Sequence, residues 1–425
     1  MAHKHFIINN LTDTDFYKYT MGQVLLHQFP NEQTTWDLII RSKGVKTAYL
    51  KDEVEYQVDH LCELKHGWDE LNFLSSIPWF SSDYIDWLED LRLKRKNICV
   101  YTDGDDLHVH AEGKEIQIQW YETLVMPIIQ ELWMLDQDTD YELGKQKLDV
   151  CIGKYNKLID EGKKFTLADF GTRRRASYKW QEYVVQRLVE NCKAMVGTSN
   201  VYMAMKFGIK PIGTFAHQMP MLLQGNNNIR LCNAQRATFD AWVKEYRGDL
   251  GIFLSDTFGF KAFLYDFDKF YAKLSNGCRH DSEDPFLWGD ILIEFYKQLL
   301  IDPKTKVGCW SDSLDDDKVV DIVNYFWDRI NVSIGQGTFL TNNVGGNPLN
   351  MVMKMSSSNG IPSVKLADVP GKCNCKDEAQ IEEVKRAFNY VSLAELSHLK
   401  GNPEAIKQFV AEIIKAQQQN RVWRG

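Results

Sequence analysis

From Tyr141 onward the chain alternates helix-patterned stretches with short apolar runs, and each run stops at a polar or glycine-rich cluster. The runs are FTLADFGTRRR (165–175), AMVGTSN (194–200), PIGTFAHQ (211–218), GIFLSDTF (251–258), GCRHDSED (277–284), VGCWSDS (307–313) and NVSIGQGT (331–338). Near-continuous apolar runs are the signature of parallel strands buried on both faces. Helical periodicity over 143–162, 177–192, 233–247, 285–300 and 315–330 separates most of them, and that alternation predicts a parallel sheet closed as an α/β barrel. In such a barrel the chemistry gathers at the C-terminal strand ends. Here those ends hold Asp169, Arg173, Ser199, His217, Asp256, Arg279, Asp281 and Asp312.

The first 140 residues are patterned differently. Residues 12–29 read as a helix with Thr12 or Asp13 as N-cap, 34–42 as a strand, and 54–67 as a helix ending at Gly67. A helix containing Trp87, Leu88 and Leu91 follows. Residues 97–122 alternate apolar and polar positions, with turn signals at Asp103-Gly104 and Glu112-Gly113, and predict an antiparallel meander. Residues 124–135 are apolar and helical. Beyond Pro362 come VKLADVPGK (364–372), an acidic patch and a C-terminal helix over 405–419. The pattern divides the chain into an α+β domain (1–140), a barrel (141–372) and a helical tail (373–425).

Composition narrows the function classes. The 425 residues are 44% hydrophobic and 25% charged, with net charge −8, the profile of a soluble globular enzyme or binding protein. The acidic balance argues against a nucleic-acid partner, so an anionic substrate needs locally placed Arg and Lys. No apolar run approaches the ~20 residues that span a bilayer. The N-terminus lacks the pattern of a secretory signal. Nine scattered cysteines read as reduced thiols of a cytoplasmic protein. Cys373 and Cys375 have no second pair to complete a zinc site.

Among the strand-end residues, Arg173 offers a fork for carboxylate or phosphate, and Phe170 beside it a flat face for an aromatic ring. His217 suits a general base or a nucleophile toward phosphorus. Asp256, Asp281 and Asp312 lie within SDT, HDS and SDS. Each could be a local cap or Asx-turn, but three at successive tips suit a ligand with vicinal hydroxyls and Mg²⁺-bound phosphates. Gly335 and Gly337 bare the backbone for an anion, and Thr338 opens the next helix. Lys354 and Lys365 follow.

TDFYKYTM, DFGTRR, GTSN, GTFAH, SDTF, RHDSEDP, SIGQGT and VKLADVPGK occur in that order from Asp15 to Lys372, and the set resembles the nicotinate phosphoribosyltransferase family. The resemblance implies an irregular, TIM-like α/β barrel with an N-terminal α+β domain, the type II phosphoribosyltransferase architecture. It implies a homodimer with interfacial active sites, and transfer of phosphoribosyl from phosphoribosyl pyrophosphate to nicotinate. It further implies ATP as co-substrate, coupled through phosphorylation of His217, with Mg²⁺ held mainly by substrate phosphates. By the same resemblance, Phe170 and a partner subunit's counterpart of Tyr17 stack on the pyridine, and Arg173, Thr198 and Ser199 contact base and phosphates. Arg279, Asp281 and Asp312 surround ribose and pyrophosphate, Asp256 is a further active-site acid, and Gly335, Gly337 and Thr338 cradle the 5′-phosphate; Lys354 and Lys365 complete the set.

Ser199 stands where the related nicotinamide enzyme carries an aspartate. A carboxylate there would repel nicotinate and a hydroxyl can donate to it, so Ser199 favours the acid over the amide. Gln218 replaces the Glu that often follows the histidine, which bears on ATP coupling. Rival readings are a nicotinamide or quinolinate phosphoribosyltransferase, a metal-dependent barrel hydrolase, and a non-catalytic metabolite sensor.

Overall fold

The computed structural model describes residues 5–366 and 375–421. Among the described residues, twelve strands form two sheets. Strands β1 (Gln33–Ile40), β2 (Ile98–Asp103), β3 (Asp106–Lys114), β11 (Met351–Ser358) and β12 (Ile361–Pro362) order as β12-β11-β1-β3-β2, with antiparallel pairing of β1 to β11 and β3 and of β2 to β3. Strands β4 (Phe165–Asp169), β5 (Met195–Thr198), β6 (Lys210–Pro211), β7 (Ile252–Leu254), β8 (Gly277–His280), β9 (Val307–Trp310) and β10 (Asn331–Gln336) order as β6-β5-β4-β10-β9-β8-β7.

In that second order each strand neighbours the next in sequence except β6 and β7, which stand at the two edges, and the last, β10, lies beside the first, β4. The pairings β4–β5, β5–β6, β7–β8, β8–β9 and β9–β10 are parallel. This is the barrel-like α/β sheet read from the seven apolar runs, with β6 and β7 as its edge strands. Beyond β6 the Thr214 hydroxyl donates to the Ile252 carbonyl of β7 at 2.7 Å. The strands are buried as their apolar composition requires: Leu167, Cys278 and Ile334 are each 0% exposed.

Two compact units interleave along the chain. The first comprises 1–157, 167–213 and 336–359, the second 158–166, 214–335 and 360–425. In the second, Phe239 meets Phe253, Phe263, Phe267 and Tyr271 edge-on at 5.2–6.1 Å between centroids, the offset geometry that aromatic quadrupoles favour. Phe215 joins this core through Phe253 and Trp242. The 372/373 division falls outside the described residues.

The helices expected after residue 141 are present at Tyr141–Asp160, Tyr178–Asn191, Ala234–Tyr246, Pro285–Gln298, Asp316–Phe326 and Pro403–Arg421. The N-terminal part differs in four places. The first helix starts at Tyr17 rather than at a Thr12 or Asp13 cap. Residues 12–16 instead form a turn-and-bend segment bridged to 199–202, with Phe16 N–H donating to Ser199 O and Tyr202 N–H to Thr12 O. The next helix spans Lys51–Leu61, and Gly67 opens the following helix instead of closing this one, its N–H bound by Glu70 at 2.6 Å. His66, buried and bonded to the Leu88 carbonyl and the Tyr19 hydroxyl, turns the chain aside between them. Glu112-Gly113 lies within β3, and 115–118 and 120–134 are helical, so the meander is a single hairpin turning at Asp103–Asp106.

Candidate active site

In the second unit His217 sits just before the helix Gln218–Leu223, on a loop anchored by the buried Phe215. Its Nδ1 lies 2.9 Å from Thr257 Oγ1, and its Nε2 lies 3.0 Å from Asp281 Oδ2 and 2.8 Å from Lys365 Nζ. One nitrogen serves one of these partners at a time: protonated it donates to Asp281, bare it accepts from the ammonium. Burial, then the Lys365 charge, push the His217 pKa below its ordinary value. The neutral ring, donating from Nδ1 to Thr257 and accepting from Lys365 at Nε2, is therefore the favoured form.

Two acids flank the imidazole. Burial would raise the Asp281 carboxyl, but Arg279, with Lys365 also close by, holds it well below the usual range. Arg279 lies 3.5 Å from Asp281 Oδ1, and Ser311 donates to that same oxygen. Asp256 is also opposed by burial, and Lys365 at 3.2 Å brings it below its ordinary value; Ser282 donates to it at 2.8 Å. Neither aspartate is a local cap. Asp312 accepts from the neighbouring Ser313 at 3.0 Å.

Lys365 reaches the cluster because its neighbours are locked. The Gln224 amide brackets Val364, accepting from its N–H and donating to its carbonyl. Leu366 N–H bonds the Thr257 carbonyl, and Val364 and Leu366 are buried. The lysine between them faces the other way, toward the histidine. Single ligand atoms of His217, Asp256 and Asp281 lie within 4.8 Å of one another, and Asp256 Oδ1 is buried without a hydrogen-bond partner. That donor set fits a hard divalent cation, although Lys365 already brings positive charge to the same carboxylates.

The first unit gathers a second cluster. Ser199 Oγ donates to Asp15 Oδ1 at 2.6 Å, and Arg173 Nε lies 3.2 Å from Asp15 Oδ2. Arg173 also reaches Glu122 at 3.2 Å, which pairs with Lys18 at 2.6 Å and accepts from the Tyr17 hydroxyl at 3.2 Å. The Arg173 guanidinium lies over the Tyr17 ring, 5.8 Å from its centroid. Lys18, Asp15 and Tyr17 are buried, whereas the Arg173 side chain is 40% exposed and presents a cationic face. Burial raises Asp15, and Arg173 only partly offsets it. Glu122 ends below its ordinary value because Lys18 and Arg173 outweigh burial. The single Ser199 proton is committed to Asp15.

Behind this cluster lies a deeper one. Arg175, 0% exposed, forms a fork onto Asp13 at 2.6 and 2.8 Å and bonds Glu131 at 2.7 Å. Asn200 donates to Asp13 at 2.7 Å. Asp169 accepts from Gly171 N–H, Gln181 and Thr198, so the Thr198 hydroxyl is held in the scaffold. Gly171 packs where a Cβ would meet the Thr341 side chain at 2.2 Å, and Thr341 in turn donates to its carbonyl. Phe170 is half-buried, its N–H on the Gln336 carbonyl.

Of the remaining candidates, Gly337 lies where a Cβ would meet the Phe170 carbonyl at 3.1 Å, and Thr338 opens a four-residue helix. Gly335 is buried in β10. Lys354 lies on β11 opposite Asp37, in the antiparallel sheet and not at a strand tip. Cys373 lies outside the described residues, and Cys375 is a free thiol. Sequence reasoning passed over Thr257, Ser282 and Ser311, although each adjoins an aspartate it singled out. It also passed over Asp15, Lys18 and Glu122, and of the three arginines at 173–175 it singled out Arg173 rather than the buried Arg175.

Two family models match the chain: the nicotinate phosphoribosyltransferase (NAPRTase) N-terminal domain over residues 12–130, and the nicotinate phosphoribosyltransferase (NAPRTase) family over 165–392. A nicotinate phosphoribosyltransferase of Chromobacterium violaceum is 42% identical over 397 residues, covering 91% of this chain and 98% of that one. The crystal structure of nicotinate phosphoribosyltransferase from Vibrio cholerae superposes with a TM-score of 0.85 at 31% identity, covering 93% of this chain and 98% of the other. That from Porphyromonas gingivalis gives 0.83 at 30%, covering 90% and 100%. With both segments matched and the barrel order in place, the chain belongs to the nicotinate phosphoribosyltransferase family.

Proposed function

We propose that the protein transfers the phosphoribosyl group of phosphoribosyl pyrophosphate to nicotinate, a step of NAD biosynthesis, and couples the transfer to ATP hydrolysis at His217. Family membership across both matched segments carries the transfer. The His217 cluster supports the coupling: a neutral imidazole with one nitrogen oriented by Thr257 and the other beside an ammonium.

The nicotinate ring nitrogen attacks C1′ as the bond from C1′ to the pyrophosphate oxygen breaks. Positive charge develops on the ribose, as in other glycosyl transfers. That nitrogen needs no base, which leaves His217 for phosphoryl transfer. The imidazole takes the γ-phosphoryl of ATP, ADP departs, and water later cleaves the phosphoramidate to release phosphate. Lys365 and Arg279 stabilise phosphate charge, and Asp281 receives the imidazole N–H in the protonated form. Mg²⁺, bound mainly through substrate phosphates, supplies charge neutralisation at the leaving pyrophosphate.

In the first unit Arg173 takes the nicotinate carboxylate and Phe170 stacks on the ring. Thr198, Ser199, Tyr17, Gly335, Gly337, Thr338, Asp312 and Lys354 are assigned supporting contacts to base, ribose and phosphates. The working form is a cytoplasmic homodimer with interfacial sites, so a solution mass of twice 49.3 kDa is expected. Sedimentation at the mass of one chain under assay conditions would contradict the dimer.

The test of the transfer is mononucleotide formation from nicotinate or nicotinamide with phosphoribosyl pyrophosphate and Mg²⁺. Product from the acid but not the amide is expected. Preference for nicotinamide would move the assignment to the amide enzyme of the same fold.

A further inference from the structure

The Arg173 cluster has a charge problem that an anionic ligand would worsen. Two cations, Lys18 and Arg173, face two acids, Asp15 and Glu122. Asp169 faces Asp15 from the end of β4, and Arg175 is already shared between Asp13 and Glu131. Tyr17 and Ser199 complete the surroundings of Asp15 and bring no charge to offset it. The cations are thus matched or outnumbered before any carboxylate arrives.

Among these acids Asp15 combines two contacts: it touches the exposed arginine and it accepts the Ser199 hydroxyl. Glu122 keeps Lys18 when Arg173 is drawn toward a ligand; Asp15, 2% exposed, has no second cation at bonding distance. Resting on the reading that nicotinate binds at Arg173, we infer that the carboxylate enters together with one proton, which Asp15 takes up.

The proton also resolves the chemistry of Ser199. With Asp15 ionised, the serine hydrogen points at Asp15 and only oxygen lone pairs face a ligand, an arrangement that suits an amide N–H. With Asp15 protonated, the new O–H donates to Ser199 Oγ, and the serine turns its own hydrogen to the ligand carboxylate. No bond other than O–H is made or broken, and the proton comes from solvent. Asp15 and Ser199 together then form a donor–acceptor switch that selects the acid. Burial of Asp15 points the same way.

The test is calorimetric titration of nicotinate into the full-length protein with Mg²⁺ and pyrophosphate present, in two buffers of different protonation enthalpy at neutral pH. An uptake approaching one proton per site is expected, with affinity falling toward about tenfold per pH unit at higher pH. Asp15→Asn, close to isosteric, should still bind nicotinate but with no proton exchange and a flat pH profile. Binding without proton uptake in the unaltered protein would overturn the inference and leave the assigned activity standing. Uptake that persists in Asp15→Asn would also overturn it, placing the proton elsewhere. Failure of the unaltered protein to bind nicotinate would remove both.

Discussion

Replacing Lys365 by Met leaves the His217 imidazole between Asp281 and Asp256 with no ammonium to oppose its protonation. The lysine lowers the histidine pKa by like-charge repulsion, so its loss should raise that pKa. More of the ring is then protonated at neutral pH, and phosphorylation from ATP should slow. An NMR titration of the His217 ring checks the shift, and a curve identical to that of the unaltered protein would contradict it. At this scale the sequence made His217, Asp256 and Asp281 legible because each stands at an abrupt strand end. It could not make Thr257, Ser282 or Ser311 stand out, since a hydroxyl beside an aspartate reads equally as a turn. Their bonds join residues 26 to 40 positions apart, and such pairings have no local periodicity.

The turn after β4 depends on the missing side chain of Gly171. In Gly171→Ala the new Cβ would meet Thr341 Oγ1 and Cγ2 at 2.2 Å, and overpacking of this kind costs about 1–3 kcal/mol. Because Phe170 and Arg173 flank the glycine, the KM for nicotinate should rise more than that for phosphoribosyl pyrophosphate. Adding Thr341→Gly should restore most of the nicotinate KM by opening the space. A double variant no better than the single one would contradict that steric origin. The barrel strands and their helices were legible because apolar runs and helical periodicity are local signals. The start of the first helix was not. Residues 12–16 look like a capped helix start but turn and bridge to 199–202, a tertiary partner nearly 190 positions away. Gly67 likewise has the composition of a helix end, while its bond to Glu70 makes it a helix start.

Across the whole molecule, buried ion networks do what an apolar core alone would not: they fix strand-end loops to the N-terminal segment. Arg175 ties Asp13 to Glu131 within the first unit, so Arg175→Met leaves two buried carboxylates without their cation. The expected loss is about 3–5 kcal/mol, read as a lower urea midpoint; an unchanged midpoint would mean the network contributes little to folding. The interleaving of the two units shows why chain order is a poor guide to domains here. Segments 167–213 and 336–359 pack with the N-terminal part because β-pairing joins distant stretches, whereas the composition changes at residue 141. In the proposed function ATP enters the reaction at His217. The most direct measurement compares the rate of nicotinate mononucleotide formation with and without ATP in the unaltered protein and in His217→Ala, following acid-labile phosphate label from γ-labelled ATP on the same samples. ATP should stimulate the unaltered protein and label it, while His217→Ala should retain a basal rate with neither stimulation nor label. Equal stimulation in both proteins would contradict the account.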